Sequence, residues 1–335
     1  MDRREAARAR ARMQAAVREF LTRRGFEEVE TPCLVPAPGM EPHIDAFRAP
    51  FVPEGGGPAR ALWLHSSPEY AMKRLLAEGF PRIFQLARVF RNGEVSDTHN
   101  PEFTLLELYR AHTDYRGIME DLEETVAHCA RAVAGGTRVE VGGRTLELAP
   151  PFERLTAQDA FQTRAGLDLA ACDGDAARLR AALRRAGLDT GREGDSFDDL
   201  FFRVFLERIE PTLGLERPTY LLDWPAPMAA LSRLKPEDPR FAERFELYAG
   251  GLELANGFSE LTDAAEQRRR LVEEQALRAR LGRPVYPLDE RFLAALPRMP
   301  EAGGVALGLD RLLMLLAGAR TLDEVLLFPA RGFLG

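Results

Sequence analysis

One predicted hairpin concentrates an arginine, an aromatic ring and several polar side chains. Strands are expected at 83–91 and 102–110, with a polar loop at 92–100. Arg91 ends the first strand, and alternation along the second places Phe103, Leu105, Glu107 and Tyr109 on one face. A ring that stacks on a base and a fixed guanidinium that binds an anion would suit a nucleoside phosphate. An ordinary hairpin with one hydrated face would show the same pattern.

A second predicted hairpin, at 244–262, places two carboxylates side by side. The glycine pair at 250–251 suits a two-residue turn that pairs Tyr248 with Glu253. Glu246 then lies diagonally across from Glu253 on the same face. Mg²⁺ takes few carboxylates together with substrate phosphates, so this pair could hold the ion against a triphosphate. The alternative is a pair of solvated acids on an exposed hairpin.

A third segment runs from a Gly-rich strand at 303–308 into an apolar helix at 309–317. Arg311 falls in the first helical turn, where free N–H groups and the helix dipole also favour an anion. The segment lacks the GKS or GKT of a P-loop.

A kink expected at 256–257 in the second hairpin would turn Glu260 towards a different surface.

The elements that must position these segments follow from periodicity and breaker residues. An amphipathic helix is predicted at 4–24, followed by a short strand that ends at Pro32, and a further helix at 68–79. The segment at about 113–218 is read as an inserted, mostly helical region without a catalytic constellation. By length the chain could hold two domains, but one large mixed α/β catalytic domain also fits.

Composition narrows the class of protein. The 335 residues carry a net charge of −7, which gives no broad basic surface for nucleic acid. The cations are 43 arginines and only two lysines, Lys73 and Lys235. Three scattered cysteines argue against a disulfide framework or a zinc site and suit a reducing cytoplasm. No secretory signal or apolar membrane-spanning run is present.

The three segments, in this order, resemble the signature motifs of class II aminoacyl-tRNA synthetases. GFEEVETPCL (25–34) resembles motif 1, the segment 84–111 resembles motif 2, and GVALGLDRLLMLL (304–316) resembles motif 3. SSPEY (66–70) and GLELANGFSEL (251–261) resemble the lysyl branch, and the class I signatures are absent. The resemblance implies a single catalytic domain over 1–335 with an α+β fold, an antiparallel sheet flanked by helices, and a homodimer.

Motif 1 begins almost at Met1, so an N-terminal anticodon-binding OB domain is not expected. The chain is thus similar to the elongation factor P–(R)-β-lysine ligase family, the truncated lysyl-tRNA synthetase paralogues. That resemblance implies an AMP-forming ligase that uses ATP and Mg²⁺ and transfers β-lysine to a lysine side chain of elongation factor P. It also implies a lysine 2,3-aminomutase upstream that supplies β-lysine. Binding to tRNA or to a membrane is not expected.

The resemblance also assigns roles to matching residues. The implied catalytic residues are Arg91, which bridges the amino-acid carboxylate and the α-phosphate, and Arg311, which sandwiches the adenine with Phe103. Glu246 and Glu253 are the implied metal ligands. The implied ATP-binding set is Arg91, Asn92, Gly93, Glu94, His99, Asn100, Phe103, Glu253, Leu254, Gly308 and Arg311. The implied amino-acid-binding set is Ser67, Pro68, Glu69, Glu107, Tyr109, Asn256, Glu260 and Ala306.

Within the second set, Glu69 is implied to bind the backbone-type amino group, while Glu107, Tyr109 and Glu260 hold the distal ammonium. Asn256 is implied to lie near the carboxylate.

Two positions depart from the lysyl pattern. Gly93 stands where that pattern has Glu, with Glu94 one step later, which displaces the contact to the adenine amino group. Ala306 stands where lysyl enzymes commonly have Gly, and its methyl group fits a pocket for a different lysine isomer. The rival readings are a truncated tRNA-charging lysyl enzyme and a non-catalytic synthetase-like regulatory subunit; a chance match in an unrelated α/β domain is disfavoured by three motifs in order.

Overall fold

The computed structural model describes residues 2–334 of the chain. Its α-helices are α1 (Arg3–Arg23), α2 (Glu69–Ala77), α3 (Tyr115–Ala134), α4 (Ala157–Ala165), α5 (Leu169–Cys172), α6 (Ala176–Arg185), α7 (Phe197–Val204), α8 (Ala264–Arg280), α9 (Glu290–Ala295), α10 (Leu309–Leu316) and α11 (Arg331–Leu334). Its strands are β1 (Glu27–Glu28), β2 (Leu34–Val35), β3 (Trp63–Leu64), β4 (Arg82–Phe90), β5 (Glu102–Ala111), β6 (Arg138–Val141), β7 (Arg144–Glu147), β8 (Glu153–Thr156), β9 (Thr219–Pro225), β10 (Phe241–Ala249), β11 (Leu252–Ser259) and β12 (Ala302–Gly308).

Eight strands form one sheet in the order β1-β4-β5-β12-β11-β10-β9-β8. Pairing is antiparallel from β4 to β9, and the two edge strands, β1 and β8, pair in parallel. The predicted α+β fold with an antiparallel sheet is confirmed, and the parallel edges are a detail that the sequence did not predict. The β4–β5 hairpin also has the predicted position, with Val89 opposite Phe103.

Alternation along the strands divides the sheet into an apolar face and a polar face. Leu106, Leu108, Leu247 and Leu307 point from one face into the main core, where α1, α3 and α10 cover them. Burial of this face fixes the register, because a one-residue slip would expose every leucine. The intervening residues, among them Glu107, therefore lie together on the opposite face.

The predicted insertion divides between two packing units. Helix α3 packs against α1 in the main core, and β8 joins the edge of the sheet. Helices α4 to α7 surround a second apolar core with Phe161, Phe201 and Trp224. A single π-helical turn, Phe205–Ile209, continues α7 towards the polar face of the sheet. Among the described residues, no helix combines the length and apolar character needed to cross a membrane.

Candidate active site

The polar face of the sheet forms the floor of a cavity of about 610 Å³. Strands β5, β12, β11 and β10 supply the floor, and the loop at 40–44, the start of α2, α8 and the end of α7 supply the walls. The face predicted for the second strand of the β4–β5 hairpin is confirmed, because Phe103, Leu105, Glu107 and Tyr109 all line this cavity.

Arg311 is fixed at one end of the cavity. Its guanidinium donates to the Glu253 carbonyl oxygen at 2.7 Å and to the Thr98 carbonyl oxygen at 3.1 Å. Nη2 of Arg311 lies 2.6 Å from Nε2 of His99. Burial and the Arg311 charge lower the pKa of the His99 imidazole, so the neutral ring accepts this hydrogen bond. The guanidinium plane is thereby held rigidly at the start of α10.

Asp310, the neighbour of Arg311, anchors that helix start to two other elements. Its Oδ2 accepts a hydrogen bond of 2.7 Å from the Thr104 backbone N–H of β5. Its Oδ1 lies 2.5 Å from Nη2 of Arg10 on α1. The side chain of Asp310 is almost fully buried, so these charge-assisted contacts position α10, and with it Arg311, relative to the sheet.

Arg91 lies over an aromatic ring beside the cavity. The centre of its guanidinium is 5.1 Å from the Phe103 ring centroid, within cation–π range. Its Nε is buried and finds no hydrogen-bond acceptor within residues 2–334. A buried donor without an acceptor is costly, so this N–H is suited to an anionic ligand.

The hairpin that carries the two paired acids contains one irregularity. Tyr248 lies opposite Glu253, as predicted, but Glu246 lies opposite Asn256, one residue further along than regular pairing gives. Such a bulge re-aims the side chains that follow it. Glu246, Glu253 and Asn256 consequently line the cavity together. The kink predicted at 256–257 is wrong, because β11 continues through these residues without a break.

Glu246 is the more enclosed of the two acids. Arg244 donates to its Oε1 at 2.6 Å, and the Tyr248 hydroxyl donates to its Oε2. Burial, followed by repulsion from Glu253, raises the pKa of Glu246 to about 7. A cation between the two carboxylates would relieve that repulsion. No group of three or more metal-binding side chains occurs in the described part of the chain, so Mg²⁺ here would need substrate oxygens to complete its coordination.

The opposite end of the floor is acidic and buried. The Ser67 hydroxyl donates to Oε1 of Glu107 at 2.6 Å, and the Tyr109 hydroxyl donates to Oε2 at 2.8 Å. Burial, followed by the charge of Glu69, raises the pKa of Glu107 to about 8. This acid is therefore largely protonated at neutral pH, and the net charge of this end depends on its neighbours.

Three charged side chains meet beside this end of the floor. Nζ of Lys73 is 2.5 Å from Oε1 of Glu69 and 2.6 Å from Oε2 of Glu260. The Lys73 and Glu260 side chains have no exposed surface. The second oxygen of Glu260, Oε1, has no hydrogen-bond partner within the described residues. An idealised Cβ on Gly304, which pairs with Tyr109, would fall 2.2 Å from it, so Oε1 lies against this glycine on the cavity side of the sheet.

Ala306 lies in the middle of the floor. Its neighbours across the sheet are Glu107 on β5 and Asn256 on β11. Its methyl group therefore separates the acidic end from the end that holds Arg311.

The structure brings most of the predicted site residues to one cavity. Those that line it are Ser67, Glu69, Arg91, Glu94, His99, Asn100, Phe103, Glu107, Tyr109, Glu246, Glu253, Leu254, Asn256, Ala306, Gly308 and Arg311. Four others do not: Pro68 caps the start of α2, Asn92 bonds through its backbone to Asp45, Gly93 occupies a turn, and Glu260 packs against Gly304 and Lys73 beside the cavity. The side chain of Asn100 is occupied, since it bonds the Glu102 carbonyl oxygen and the Ala330 N–H.

Sequence reasoning missed several polar residues of the cavity. Glu41 from the long loop and Glu274 from α8 line the wall next to Glu69, and Glu210 reaches the Arg311 end from the inserted region. No local pattern marks them, because distant segments of the chain bring them together. Lys73 did carry a signal, since it is one of only two lysines in an arginine-rich chain.

Comparison with known proteins agrees with this geometry. Residues 2–332 match the family described as "tRNA synthetases class II (D, K and N)". A protein of Erwinia tasmaniensis named elongation factor P–(R)-β-lysine ligase is 43% identical over 324 residues, which cover 95% of this chain and 93% of the relative. Proteins of the same name from Klebsiella pneumoniae and Haemophilus influenzae are 42% and 41% identical, with the same shares of each chain covered. The chain therefore belongs to the class II tRNA synthetase family of the D, K and N type and, within it, to the family of these elongation factor P–(R)-β-lysine ligases.

Proposed function

We propose that this chain activates (R)-β-lysine, or lysine, with ATP and transfers the aminoacyl group to a lysine side chain of elongation factor P. The observation that carries the proposal is a single cavity with an arginine-lined end and a buried acidic end. The first end suits a triphosphate and the second suits an amino acid with ammonium groups. The relatives' shared name supplies the acceptor.

In the proposed first step, the amino-acid carboxylate attacks the α-phosphorus of ATP, which gives an aminoacyl-adenylate and pyrophosphate. The free Nε of Arg91 supports a contact to the α-phosphate, and Phe103 below it offers a stacking surface for adenine. A preorganised guanidinium stabilises negative charge as it builds up in such a step. Glu246 and Glu253 would hold Mg²⁺, which when bound offsets phosphate charge.

In the proposed second step, an amine of the acceptor attacks the mixed anhydride and releases AMP. The described residues need supply no nucleophile for this step. Glu69 would hold the amino group nearer the carboxylate, and Oε1 of Glu260 with the Tyr109 hydroxyl would hold the distal ammonium. A buried acid left without its ammonium is costly, so analogues without that amine should be rejected strongly.

Three further features belong to the same proposal. A lysine 2,3-aminomutase would supply β-lysine, and the protein would act as a homodimer through motif 1. The protein would act in the cytoplasm, whose reducing conditions suit the three free cysteines, Cys33, Cys129 and Cys172.

Pyrophosphate exchange tests the proposed function. The purified protein is incubated with ATP, labelled pyrophosphate and each lysine isomer, and elongation factor P is weighed by mass spectrometry after a parallel reaction. We expect exchange that depends on lysine or β-lysine and a mass gain of one lysyl group on the factor. Exchange without that gain, together with charging of tRNA, would support a tRNA-charging enzyme instead. No exchange with any isomer would favour a non-catalytic binding subunit.

A further inference from the structure

A buried lysine joins two acids that the proposed function assigns to different ends of the amino acid. Lys73 lies on α2, one turn after Glu69, while Glu260 follows β11 and comes from the other end of the chain. Nζ contacts one oxygen of each, at 2.5 and 2.6 Å. One ammonium group thus fixes the distance between the two carboxylates.

Because this contact is buried, the loss of either partner would be costly to the folded protein. Lys73 is 1% exposed and Glu260 is 2% exposed, so neither charge is solvated by water. Removing one partner of a buried ion pair leaves an uncompensated charge, which costs far more than an exposed pair contributes. The rings of Phe258 and Phe292, each 6.0 Å from Nζ, complete the enclosure.

The contact uses only half of the Glu260 carboxylate. Oε2 faces Lys73, and Oε1 faces Gly304 and Tyr109 at the cavity floor without a partner among the described residues. Glu69 also keeps one oxygen away from Lys73 and lines the cavity. Each acid therefore has one oxygen held by the protein and one available to a ligand.

We propose that Lys73 is a positioning residue for amino-acid binding, whose ammonium holds the Glu69 and Glu260 carboxylates, one free oxygen each, at the spacing that the two ammonium groups of the substrate require. The inference rests on the proposed function and deepens it. Lys73 contacts neither substrate nor reacting atoms; it acts through the two acids. Its fixed charge also favours the ionised form of Glu260.

The charges around the pair support this role. Burial would lower the pKa of Lys73, but Glu260 and Glu69 raise it above its usual value, so the ammonium stays charged. Burial raises the pKa of Glu260 to about 7, and Lys73 opposes that rise. The other titratable groups nearby are Glu107 and Tyr109 from β5, Glu274 from α8 and Glu41 from the long loop. None of them is a cation, so Lys73 is the nearest positive charge for both acids.

Lys73→Met removes the charge and keeps an unbranched side chain that is only one heavy atom shorter. The KM for the amino acid and for ATP would be measured by pyrophosphate exchange between pH 6 and 9. We expect the KM for the amino acid to rise about tenfold or more at pH 7, with little change in the KM for ATP. The acid limb of the pH profile, where kcat/KM for the amino acid falls at low pH, should shift to higher pH by about one unit or more. The reason is that Glu260 loses the charge that opposes its protonation.

Two variants provide controls. Lys73→Arg keeps the positive charge and should leave the acid limb near its wild-type position. Lys235→Met removes the other lysine, whose Nζ lies 2.5 Å from Oδ2 of Asp223; neither residue lines the cavity. This variant should leave both the KM for the amino acid and the acid limb unchanged. Thermal unfolding and circular dichroism establish that each variant is folded.

The outcomes separate this inference from the proposed function. A wild-type protein without lysine-dependent exchange overturns the proposed function, and the role of Lys73 falls with it. An active wild type, with a folded Lys73→Met variant whose KM and acid limb are unchanged, overturns the role of Lys73 alone. If Lys73→Met does not fold, Lys73→Gln removes the charge and keeps a hydrogen-bond donor for the two carboxylates. An unshifted acid limb in a folded Lys73→Gln variant also overturns the inference.

Discussion

Glu246 pairs across the sheet with Asn256, although Tyr248, only two residues later, pairs with Glu253. The two pairs are out of step by one residue, so the bulge between them lets Glu253, Asn256 and Phe258 all face the cavity. In a regular hairpin Glu253 would instead share its face with Ala255 and Gly257. Strand β11 of the second hairpin therefore contributes side chains to both ends of the cavity.

Arg311→Lys tests whether the shape of the guanidinium matters as well as its charge. Arg311 makes contacts in three directions, to Glu253, Thr98 and His99, and lysine cannot reproduce that planar arrangement. We expect kcat/KM for ATP in pyrophosphate exchange to fall by roughly 10²-fold or more. Arg320→Lys, at an exposed position outside the cavity lining, is the matched control and should keep wild-type exchange. Activity of Arg311→Lys within a few-fold of wild type would contradict the assigned role.

Glu107→Gln tests the buried acid through the pH dependence of stability. Because burial raises the pKa of Glu107 from 4.5 to about 8, the folded protein favours the protonated form. Its contribution to stability is therefore fully present below about pH 4.5 and is lost as the pH rises through about 8. Glutamine resembles the protonated acid and does not ionise.

Denaturant unfolding at pH 5 and pH 9 measures this effect. The free energy of unfolding of Glu107→Gln minus that of wild type should be more favourable to the variant at pH 9 than at pH 5, by at least about 1 kcal/mol. Glu147→Gln, at an acid near the β6–β7 hairpin whose pKa is lowered by hydrogen bonds from Thr137 and Arg138, should show no such gain. Equal pH dependence of wild type and Glu107→Gln would show that Glu107 ionises without cost.

Gly304→Ala tests the space between Gly304 and the carboxylate of Glu260. The added Cβ would lie 2.2 Å from Oε1 of Glu260 and 2.3 Å from Cε1 of Tyr109, too close for either side chain to stay in place. We expect the KM for the amino acid to rise at least about tenfold, with a smaller effect on the KM for ATP, because the ATP end of the cavity is not disturbed. Gly136→Ala, where a Cβ would meet no atom within 4 Å, is the control. Unchanged amino-acid binding in a folded Gly304→Ala variant would place the distal ammonium elsewhere.

Local patterns in the sequence were sufficient for the parts of the site that lie within one hairpin. Alternation placed Phe103 and Glu107 on one face, and the glycine turn placed Tyr248 opposite Glu253; both were confirmed. Such features depend on neighbours in the chain, so periodicity reveals them. The bulge near Leu254 has no comparable signal, because it does not interrupt the apolar pattern.

Periodicity in the sequence does not predict contacts between distant segments. Glu260 was expected to meet a substrate ammonium, but the structure shows that Lys73, 187 positions earlier in the numbering, already holds one of its oxygens. The contribution of Glu210 from the inserted region was missed for the same reason. Lys73 is conspicuous in the sequence as one of two lysines, but only the fold shows that it faces Glu69 and Glu260.

Ala306→Gly tests the choice between lysine isomers. The Ala306 methyl group lies between Glu107 and Asn256, at the middle of the floor, where the carbon chain of a bound amino acid must pass. Moving an amino group by one carbon changes which atoms contact that methyl group. One methyl group in a binding pocket is worth about 1–3 kcal/mol, so its removal should change the ratio of kcat/KM for β-lysine to that for α-lysine by roughly tenfold, in favour of α-lysine. Exchange assays with both isomers measure the ratio, and Ala302→Gly, on the same strand but outside the cavity lining, controls for the loss of a buried methyl group. If both variants keep the wild-type ratio, isomer selection depends on the acids around the cavity and not on the shape of its floor.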